Sequence, residues 1–403
     1  MTSRRGRADR SASATRRRVA PVALALPLVL LLGACASDAP QSTLEPEGPI
    51  ARSIDTLWDG VFIIAVVVFV LVQFGTLALA IRFRRRRDDD ELPTQTHGNT
   101  KLEIAWTILP AVLLAVVGFF TLRTLFDIND RDDKDLTVQV TGQQWWWEFA
   151  YDTDGDGEYT DEDVLTANDL VIPAGVNVNL DIESNDVIHS FWIPALNGKK
   201  DAVPGRSHPL QLHADEPGTY VGQCTEFCGL SHAYMRQRVI ALPEDEFDSW
   251  LEAQQDDAAV PDDGSQAAAG ADLFTTQCSG CHLARGINDD EFEEMGSGAE
   301  LLVAENAPDL THFASRGTFA GAIFDLWVDQ DGDEIIEADE IGGEAGELNR
   351  ADLEAWLRNP PGEKPMSAPH LPEPGDERVR GMPNFNLQEE QIDQLVDFLA
   401  TLD

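Results

Sequence analysis

The sequence predicts a multidomain membrane chain, in which a hairpin of two transmembrane helices precedes an all-β domain and an all-α domain. Two apolar runs, Val61–Ile81 and Ile104–Leu122, are each about long enough to cross a hydrocarbon core of roughly 30 Å. From Leu136 onward the pattern changes to short strand-like runs separated by Pro and Gly. Near the C-terminus, apolar residues from Ile392 to Leu399 recur at helical spacing.

Residues 1–34 have the features of a secretory signal peptide. An Arg-rich segment precedes the apolar run Val19–Leu32. The run leads into Leu-Gly-Ala-Cys, which is similar to the lipobox of bacterial lipoproteins, and we therefore expect Cys35 to be acylated. Ordinary cleavage near Ala34 or Ala36, or a retained anchor, is the alternative. Residues 35–57 are then an extracytoplasmic N-terminal segment.

The transmembrane hairpin is predicted over residues 58–125, with helices at about 58–82 and 103–125. A cluster of arginines follows the first span directly, which places the connecting loop in the cytoplasm. Both ends of the chain then lie on the extracytoplasmic side of a bacterial cell membrane. Glu103 is the charged residue at the cytoplasmic end of the second span.

Residues 132–250 carry a set of metal-binding side chains in CTEFCGLSHAYM and in the upstream VIHSFWIP. The candidate ligands are His189, Cys224, Glu226, Cys228, His232 and Met235. Two thiolates, two imidazoles and a thioether select copper over harder metals. Because this set exceeds what one ion needs, both sulfurs can bridge two coppers, each completed by one His and a weak axial group, either Met235 or the Glu226 carbonyl. A disulfide is the alternative, but it explains neither the Met nor the spacing. Copper ligands in the last loops of a β domain favour a cupredoxin-like Greek key.

Residues 271–403 carry a haem attachment motif. Cys278 and Cys281 with His282 form CSGCH, in which two thioethers fix a haem and the His ligates its iron. C-x-x-C alone also serves zinc and redox sites, but the adjacent His favours haem c. The order of predicted helices is similar to that of an all-α class I cytochrome c. Residues 251–270 are rich in Ala, Asp, Gly and Pro, which indicates a flexible linker.

The sixth ligand of the haem iron must come from elsewhere in this domain. Met382 in GMPNF precedes the final helix, and class I cytochromes c place their ligand Met in such a Met-Pro context. Met366 is the rival, and His312 or His370 would give a lower redox potential. The insertion between residues 321 and 347 departs from a minimal cytochrome c, and the sequence assigns it no role.

With these two metal motifs the chain resembles subunit II of the haem-copper oxidases, of the caa type, in which a cytochrome c is fused to the C-terminus. The resemblance implies that the copper pair is the centre called CuA, and that the Glu226 carboxylate binds magnesium at the interface with subunit I. It implies that electrons from cytochrome c enter at Trp145 in GQQWWWEF, although Trp146 stands where Tyr is usual. It also places the entrance of a proton path at Glu103, three residues before Trp106.

The function implied by the resemblance is electron transfer within a proton-translocating cytochrome c oxidase. Electrons would pass from haem c through CuA to subunit I, where oxygen is reduced, so the oxygen-reducing centre is not in this chain. Subunits I and III would be its partners, and cytochrome c or a cytochrome bc complex its donor. The alternatives are a CuA-bearing subunit of a nitric oxide reductase and, in another class, a copper-binding surface lipoprotein. Quinol oxidase subunits share the fold without the copper ligands.

Two acidic segments resemble calcium loops. DTDGDGEYTDED places carboxylates at EF-hand positions, with Asp at the twelfth place instead of Glu. Its candidate ligands are Asp152, Asp154, Asp156 and Asp163. A second run offers Asp329, Asp331, Asp333 and Glu340. Solvated acidic turns are the alternative for both. The net charge of −42 would steer a basic donor protein or reflect adaptation to high salt, and we expect no nucleic-acid partner.

Overall fold

The computed structural model describes residues 40–84, 95, 97–129, 136–153, 163–291, 307–330, 335–342, 346–366 and 380–403. Within it, residues 43–403 form one compact unit. Cys35, and with it the predicted lipoprotein signal, lies outside the described residues.

Two long helices, α1 (Pro49–Arg82) and α2 (Thr100–Asp127), are apolar and long enough to cross a membrane. α1 begins at Pro49 and not at residue 58 as the apolar run predicted. Proline suits the first turn of a helix, because its missing N–H would have no partner there. Ile50 and Ala51 are buried, and the Glu47 N–H donates to the Ala195 carbonyl (2.8 Å). The start of α1 is therefore held against the domain that follows, which hydropathy alone does not reveal.

The described residues between 136 and 253 form a β domain of ten strands and one α-helix. The strands are β1 (Leu136–Gln143), β2 (Trp146–Tyr151), β3 (Val164–Ala167), β4 (Asp169–Pro173), β5 (Val178–Ser184), β6 (His189–Phe191), β7 (Lys200–Ala202), β8 (His208–Leu212), β9 (Gly218–Gln223) and β10 (Arg236–Leu242). One sheet has the order β3-β2-β1-β5-β8 and a second has the order β4-β10-β9, while β6 pairs with β7. β1 runs parallel to β5 and β10 parallel to β4, and the other pairs are antiparallel. The cupredoxin-like β domain predicted from the sequence is confirmed.

Alternation of side chains along the strands builds the core of this domain. Successive residues of a strand point to opposite faces, so Val178, Leu180 and Ile182 of β5 share one face, and all three are fully buried. Trp147 of β2 meets Phe191 of β6 edge to face, with ring centroids 5.4 Å apart. Because β6 also begins with His189, this packing fixes the strand that carries a predicted metal ligand.

Part of the segment predicted as a flexible linker contacts the C-terminal domain. Helix α3 (Glu244–Ala253) ends the β domain, and the next residue, Gln254, donates from Nε2 to Ser315 Oγ (3.1 Å). Ala258 is buried, and its N–H donates to the Arg285 carbonyl (2.9 Å). The composition of the segment did not predict these contacts, because its backbone makes most of them. The Gln254 and Asp256 carbonyls, for example, accept hydrogen bonds from the Arg285 side chain.

Residues 254–403 form the C-terminal domain. Its elements are α4 (Gln266–Gln277), β11 (Thr318–Phe319), β12 (Phe324–Asp325), α5 (Arg350–Arg358), α6 (Pro360–Glu363) and α7 (Glu389–Leu399). α4 and α7 cross closely at Gly270, where any Cβ would overlap the Gln394 carbonyl oxygen. Beside this crossing the rings of Phe274 and Phe398 lie 5.3 Å apart. The mainly helical domain agrees with the fold class predicted from the sequence.

A buried ion pair of the β domain lies at its junction with the C-terminal domain. Arg238 of β10 donates from Nε to Asp169 Oδ1 of β4 (3.1 Å), and both side chains are almost fully buried. The same carboxylate accepts hydrogen bonds from the Gly317 N–H (2.8 Å), the Thr318 N–H (2.9 Å) and the Thr318 hydroxyl (2.7 Å). The C-terminal domain thus completes the hydrogen bonding of a charge that the β domain buries.

The insertion between residues 321 and 347 also contacts the β domain. The Thr219 hydroxyl of β9 lies 3.2 Å from the Ile336 carbonyl and 3.1 Å from Glu337 Oε2. Ala338 and Ile341 pack against the core of the β domain. The insertion to which the sequence assigned no role therefore contributes to docking.

We expect Asp169→Ala to destabilise the protein by about 3–5 kcal/mol, because it leaves the buried Arg238 guanidinium with only the half-exposed Asp325 carboxylate (3.6 Å) as counter-charge. The measurement is the midpoint of thermal unfolding of the detergent-solubilised full chain, followed by tryptophan fluorescence.

The matched control is Glu389→Ala, which removes a carboxylate from an exposed pair with Arg358 (2.7 Å). Exposed pairs contribute little, so this variant should unfold close to the wild-type midpoint. If the two variants lower the midpoint of thermal unfolding equally, the buried ion pair contributes no more to stability than the exposed one.

Candidate metal centre and haem cavity

Two loops of the β domain bring the predicted copper ligands together. His189 begins β6, Cys224 directly follows β9, and Met235 directly precedes β10. The Cys224 N–H donates to the Met235 carbonyl (2.9 Å), which closes the ligand loop at its base. A short 3₁₀ turn, His232–Tyr234, places His232 inside that closed loop.

The donor atoms converge around the two sulfurs. Cys224 Sγ lies 3.9 Å from Cys228 Sγ and 4.0 Å from His189 Nδ1. Cys228 Sγ lies 3.5 Å from His232 Nδ1 and 3.8 Å from Met235 Sδ. The two sulfurs are much farther apart than the roughly 2.05 Å of a disulfide, and both thiols are free. Each sulfur therefore lies near one imidazole, so two thiols and two imidazoles converge on one site.

Glu226 presents its backbone and not its side chain to this cluster. Its carbonyl oxygen lies 3.2 Å from Cys224 Sγ, while the side chain is exposed. The carbonyl is thus the Glu226 group that could act as the predicted weak donor. The magnesium site predicted for the carboxylate requires a partner subunit and stays a prediction.

Asp186 orients the His189 ring and was not predicted from the sequence. Asp186 Oδ1 lies 2.8 Å from His189 Nε2, so Nδ1 is the nitrogen that faces Cys224. Burial opposes protonation of His189, but the nearby carboxylate and the Cys224 sulfur outweigh it and raise the pKa of the ring. A carboxylate that bonds the second nitrogen of a ligand His is common at metal sites. The position of Asp186 three residues before His189 is the sequence feature from which this contact could have been predicted.

The two buried thiols shift each other's pKa in opposite directions, down for Cys224 and up for Cys228. The hydrogen bond between the thiols lowers the pKa of Cys224, so one sulfur is favoured as a thiolate. Thiolates are the form that binds metal. His189, Cys224 and Cys228 form a cluster whose ligand atoms all lie within 4.8 Å of one another. The soft, buried donor set matches the copper centre predicted from the sequence.

The C-terminal domain contains a cavity of about 340 Å³ that all four predicted haem-binding residues line: Cys278, Cys281, His282 and Met382. The His282 Nδ1–H donates to the Pro308 carbonyl (2.8 Å), which leaves Nε2 for a metal ion. Burial lowers the pKa of His282 and so favours the neutral ring that binds iron. Apolar side chains that include Phe274, Leu353 and Leu399 complete the wall. The chemistry of the lining therefore fits a covalent haem.

The cavity narrows the choice of sixth ligand. Met382 and Met366 both line it. Both ring nitrogens of His312 are bonded to backbone carbonyls, those of Asp403 and Asp256 (2.9 Å each), so this residue has no nitrogen to offer. His370 lies outside the described residues.

Trp145 lies between the two sites. It occupies the turn between β1 and β2, and only Trp146 and Trp147 of the three adjacent tryptophans lie in a strand. Its Nε1–H donates to the Cys228 carbonyl (3.1 Å), and the residue also lines the cavity. Its exposed fraction is 4%, so the C-terminal domain and the copper-ligand loop together cover it.

The remaining predicted sites are described only in part. Glu103 lies in the first turn of α2 with an exposed side chain. Asp163 Oδ1 accepts from the Thr153 N–H (3.1 Å), and Glu340 accepts from two backbone N–H groups. Asp154 and Asp156 lie outside the described residues, as do Asp331 and Asp333 of the second loop. Calcium binding stays a prediction for both loops, including the contributions of Asp152 and Asp329.

Comparison with known proteins assigns both the transmembrane helices and the β domain to one family. Residues 43–124 match the family of the cytochrome c oxidase subunit II transmembrane domain, and residues 136–242 match the family of its periplasmic domain. α1 and α2 are accordingly the two spans of a membrane protein.

Whole-chain relatives extend the match into the C-terminal domain. Cytochrome c oxidase subunit 2 of Alkalihalophilus pseudofirmus is 33% identical over 93% of this chain and 94% of its own length. Its counterpart from Bacillus sp. strain PS3 is 31% identical over 93% and 95%. The crystal structure of the periplasmic domain of subunit II of cytochrome oxidase (CoxB) of Bradyrhizobium japonicum is 29% identical, with a TM-score of 0.28 over 32% of this chain and 96% of that one. The chain belongs to the cytochrome c oxidase subunit II family.

Proposed function

We propose that this chain relays electrons one at a time from a covalently attached haem c, through a binuclear CuA centre, to subunit I of a terminal oxidase. There oxygen would be reduced to water with coupled proton pumping. The observation that carries the proposal is the position of Trp145, which hydrogen-bonds the copper-ligand loop at Cys228 and also lines the cavity that holds the CSGCH motif.

At the copper centre the chain's own residues would bind and orient. The residues that would hold the copper are Cys224, Cys228, His189, His232, Met235 and, through its backbone carbonyl, Glu226. A bound copper pair supplies a redox centre that shares one charge over two nuclei. Asp186 holds the His189 ring, and burial of the sulfurs excludes water, so the ligands reorganise little as the charge changes.

In the C-terminal domain, Cys278 and Cys281 would form the thioether bonds and His282 would bind the iron through Nε2. The hydrogen bond from Nδ1 to the Pro308 carbonyl holds the ring in the orientation that this requires. Met382 would be the sixth ligand. An apolar wall around the iron favours a high redox potential, since it disfavours the more highly charged oxidised state.

We also propose on which side of the membrane the two domains lie and which proteins the chain contacts. Both metal-binding domains would lie on the extracytoplasmic side, with subunits I and III as membrane partners. Glu226 would bind magnesium at the interface with subunit I, and Glu103 would mark the entrance of a proton path. A soluble cytochrome c or a cytochrome bc complex would be the donor.

Two alternatives differ in what accompanies the chain. A CuA-bearing nitric oxide reductase subunit would copurify with a catalytic subunit that reduces nitric oxide. A copper-binding surface lipoprotein would hold copper that exchanges no electrons with haem, and the haem cavity beside Trp145 argues against it.

We expect the full-length chain, matured with haem and loaded with copper, to contain about two coppers per haem. Its EPR spectrum should show hyperfine structure from an electron shared over two copper nuclei. Substitution His232→Asn should abolish that shared pattern, because it removes the imidazole 3.5 Å from the Cys228 sulfur.

The control for this experiment is His208→Asn in the same domain. The His208 ring is bonded to the Asp201 carbonyl (2.6 Å) and is not among the predicted ligands. This variant should keep the shared signal. A single ordinary copper in the unmodified protein would remove the CuA assignment.

Substitution Met382→Leu should remove thioether ligation of the haem and lower its redox potential, because a Met ligand favours the reduced iron. The measurement is a spectroelectrochemical titration of the full chain. The same substitution at Met366, which lines the same cavity, should leave both the absorption spectrum and the potential unchanged. The reverse pattern would make Met366 the ligand.

A further inference from the structure

Lys364 is a buried cation at the junction of the two domains. Its exposed fraction is 3%, and it lines the haem cavity. Nζ donates to the Trp145 carbonyl of the β domain (2.6 Å) and to the Ala320 carbonyl of the C-terminal domain (2.8 Å). An ammonium group has three N–H donors, so these two contacts leave one.

No carboxylate forms an ion pair with this ammonium group within the described part of the chain, although the Cys228 sulfur favours its charged form. A buried charge is unfavourable unless it is paired and hydrogen-bonded. Burial accordingly lowers the pKa of Lys364 to about 7. A carboxylate bound beside Nζ would favour the charged form.

A second buried cation faces the same cavity. Arg316 lines it and donates from Nη2 to the Asp309 carbonyl (2.6 Å), while its buried Nε has no hydrogen-bond partner. Two buried cationic groups with unused donors therefore line one apolar cavity. This arrangement points to a ligand that is apolar over most of its surface and carries carboxylates.

We infer that Lys364 binds a propionate carboxylate of the haem. The same ammonium group connects the haem cavity to the β domain through its hydrogen bond to the Trp145 carbonyl. This inference rests on the proposed attachment of haem c. Haem has the required chemistry, since a large apolar ring carries its propionates. Lys364 is then a positioning residue, because it links the haem to a tryptophan whose indole is bonded to the copper-ligand loop at Cys228.

The junction around the ammonium is sterically fixed. Gly321 has a φ of +80°, and a Cβ at this position would overlap Lys364 Nζ and approach the Trp145 carbonyl. The Gly321 carbonyl accepts from the Arg236 N–H of β10 (3.0 Å). The backbone of both domains thus closes around Nζ, which leaves the cavity as the direction for its remaining donor.

The first test is the redox potential of the haem in the full-length, haem-loaded and copper-loaded protein. A nearby cation stabilises the reduced haem, so Lys364→Met should lower the potential. Lys364→Arg keeps the charge and should stay closer to the wild type. The matched control is Lys199→Met, the same change at an exposed residue, which should leave the potential unchanged.

The second test is the rate of electron transfer from haem to copper after photoreduction. A lower haem potential increases the driving force, which alone would speed this transfer. We expect Lys364→Met to slow it by about tenfold, because the haem is no longer held against Trp145. Slower transfer despite a larger driving force therefore reports lost positioning.

An unchanged haem potential in Lys364→Met would overturn the inference, because Lys364 would then only join the two domains. If that variant does not mature, Lys364→Gln and Lys364→Arg are compared, and equal potentials would overturn it in the same way. Absence of covalent haem from the unmodified protein would instead overturn the proposed function. The two failures are therefore distinguishable.

Discussion

Burial of charge at the junction between the β domain and the C-terminal domain is the constraint on which the arrangement of the two candidate sites depends. Asp169 and Arg238 neutralise each other, yet the carboxylate still needs the Gly317 and Thr318 donors from the other domain. A buried charge with an unsatisfied hydrogen bond is costly, so the β domain is completed only when the C-terminal domain is docked. The same docking brings the cavity lined by Cys278, Cys281 and His282 to Trp145 and so to the predicted copper-ligand loop. The geometry on which the proposed relay rests therefore follows from a requirement of folding.

The candidate ligands of both sites could be proposed from the sequence because most of them lie in short motifs. The donors from Cys224 to Met235 occupy one loop, so their spacing alone implies that they converge. His189 comes from another strand, but its residue type and a predicted β fold were sufficient to include it. Ligands that lie together in one short motif can therefore be recognised without knowledge of the fold.

The residues that join the domains could not be predicted in this way. Lys364 bonds Trp145 across 219 positions of sequence, and Thr318 bonds Asp169 across 149. Lysine, aspartate and threonine are ordinary surface residues, and only burial by a distant segment makes them structural. The early start of α1 at Pro49 has the same origin, since contacts with the β domain and not hydropathy extend the helix.

Docking changes what the fused domain can contribute. A flexible tether of short length would give an effective concentration in the millimolar range, and transfer would then wait for an encounter. Here the segment after α3 lies along the C-terminal domain, and Trp145 is 4% exposed. A soluble donor therefore has little access to Trp145 while the domain stays docked. The net charge of −42 attracts a basic donor to the surface in general and does not select a place of contact. Under the proposed relay, burial of Trp145 determines where the donor protein must make contact, because the haem is then the point where electrons enter the chain.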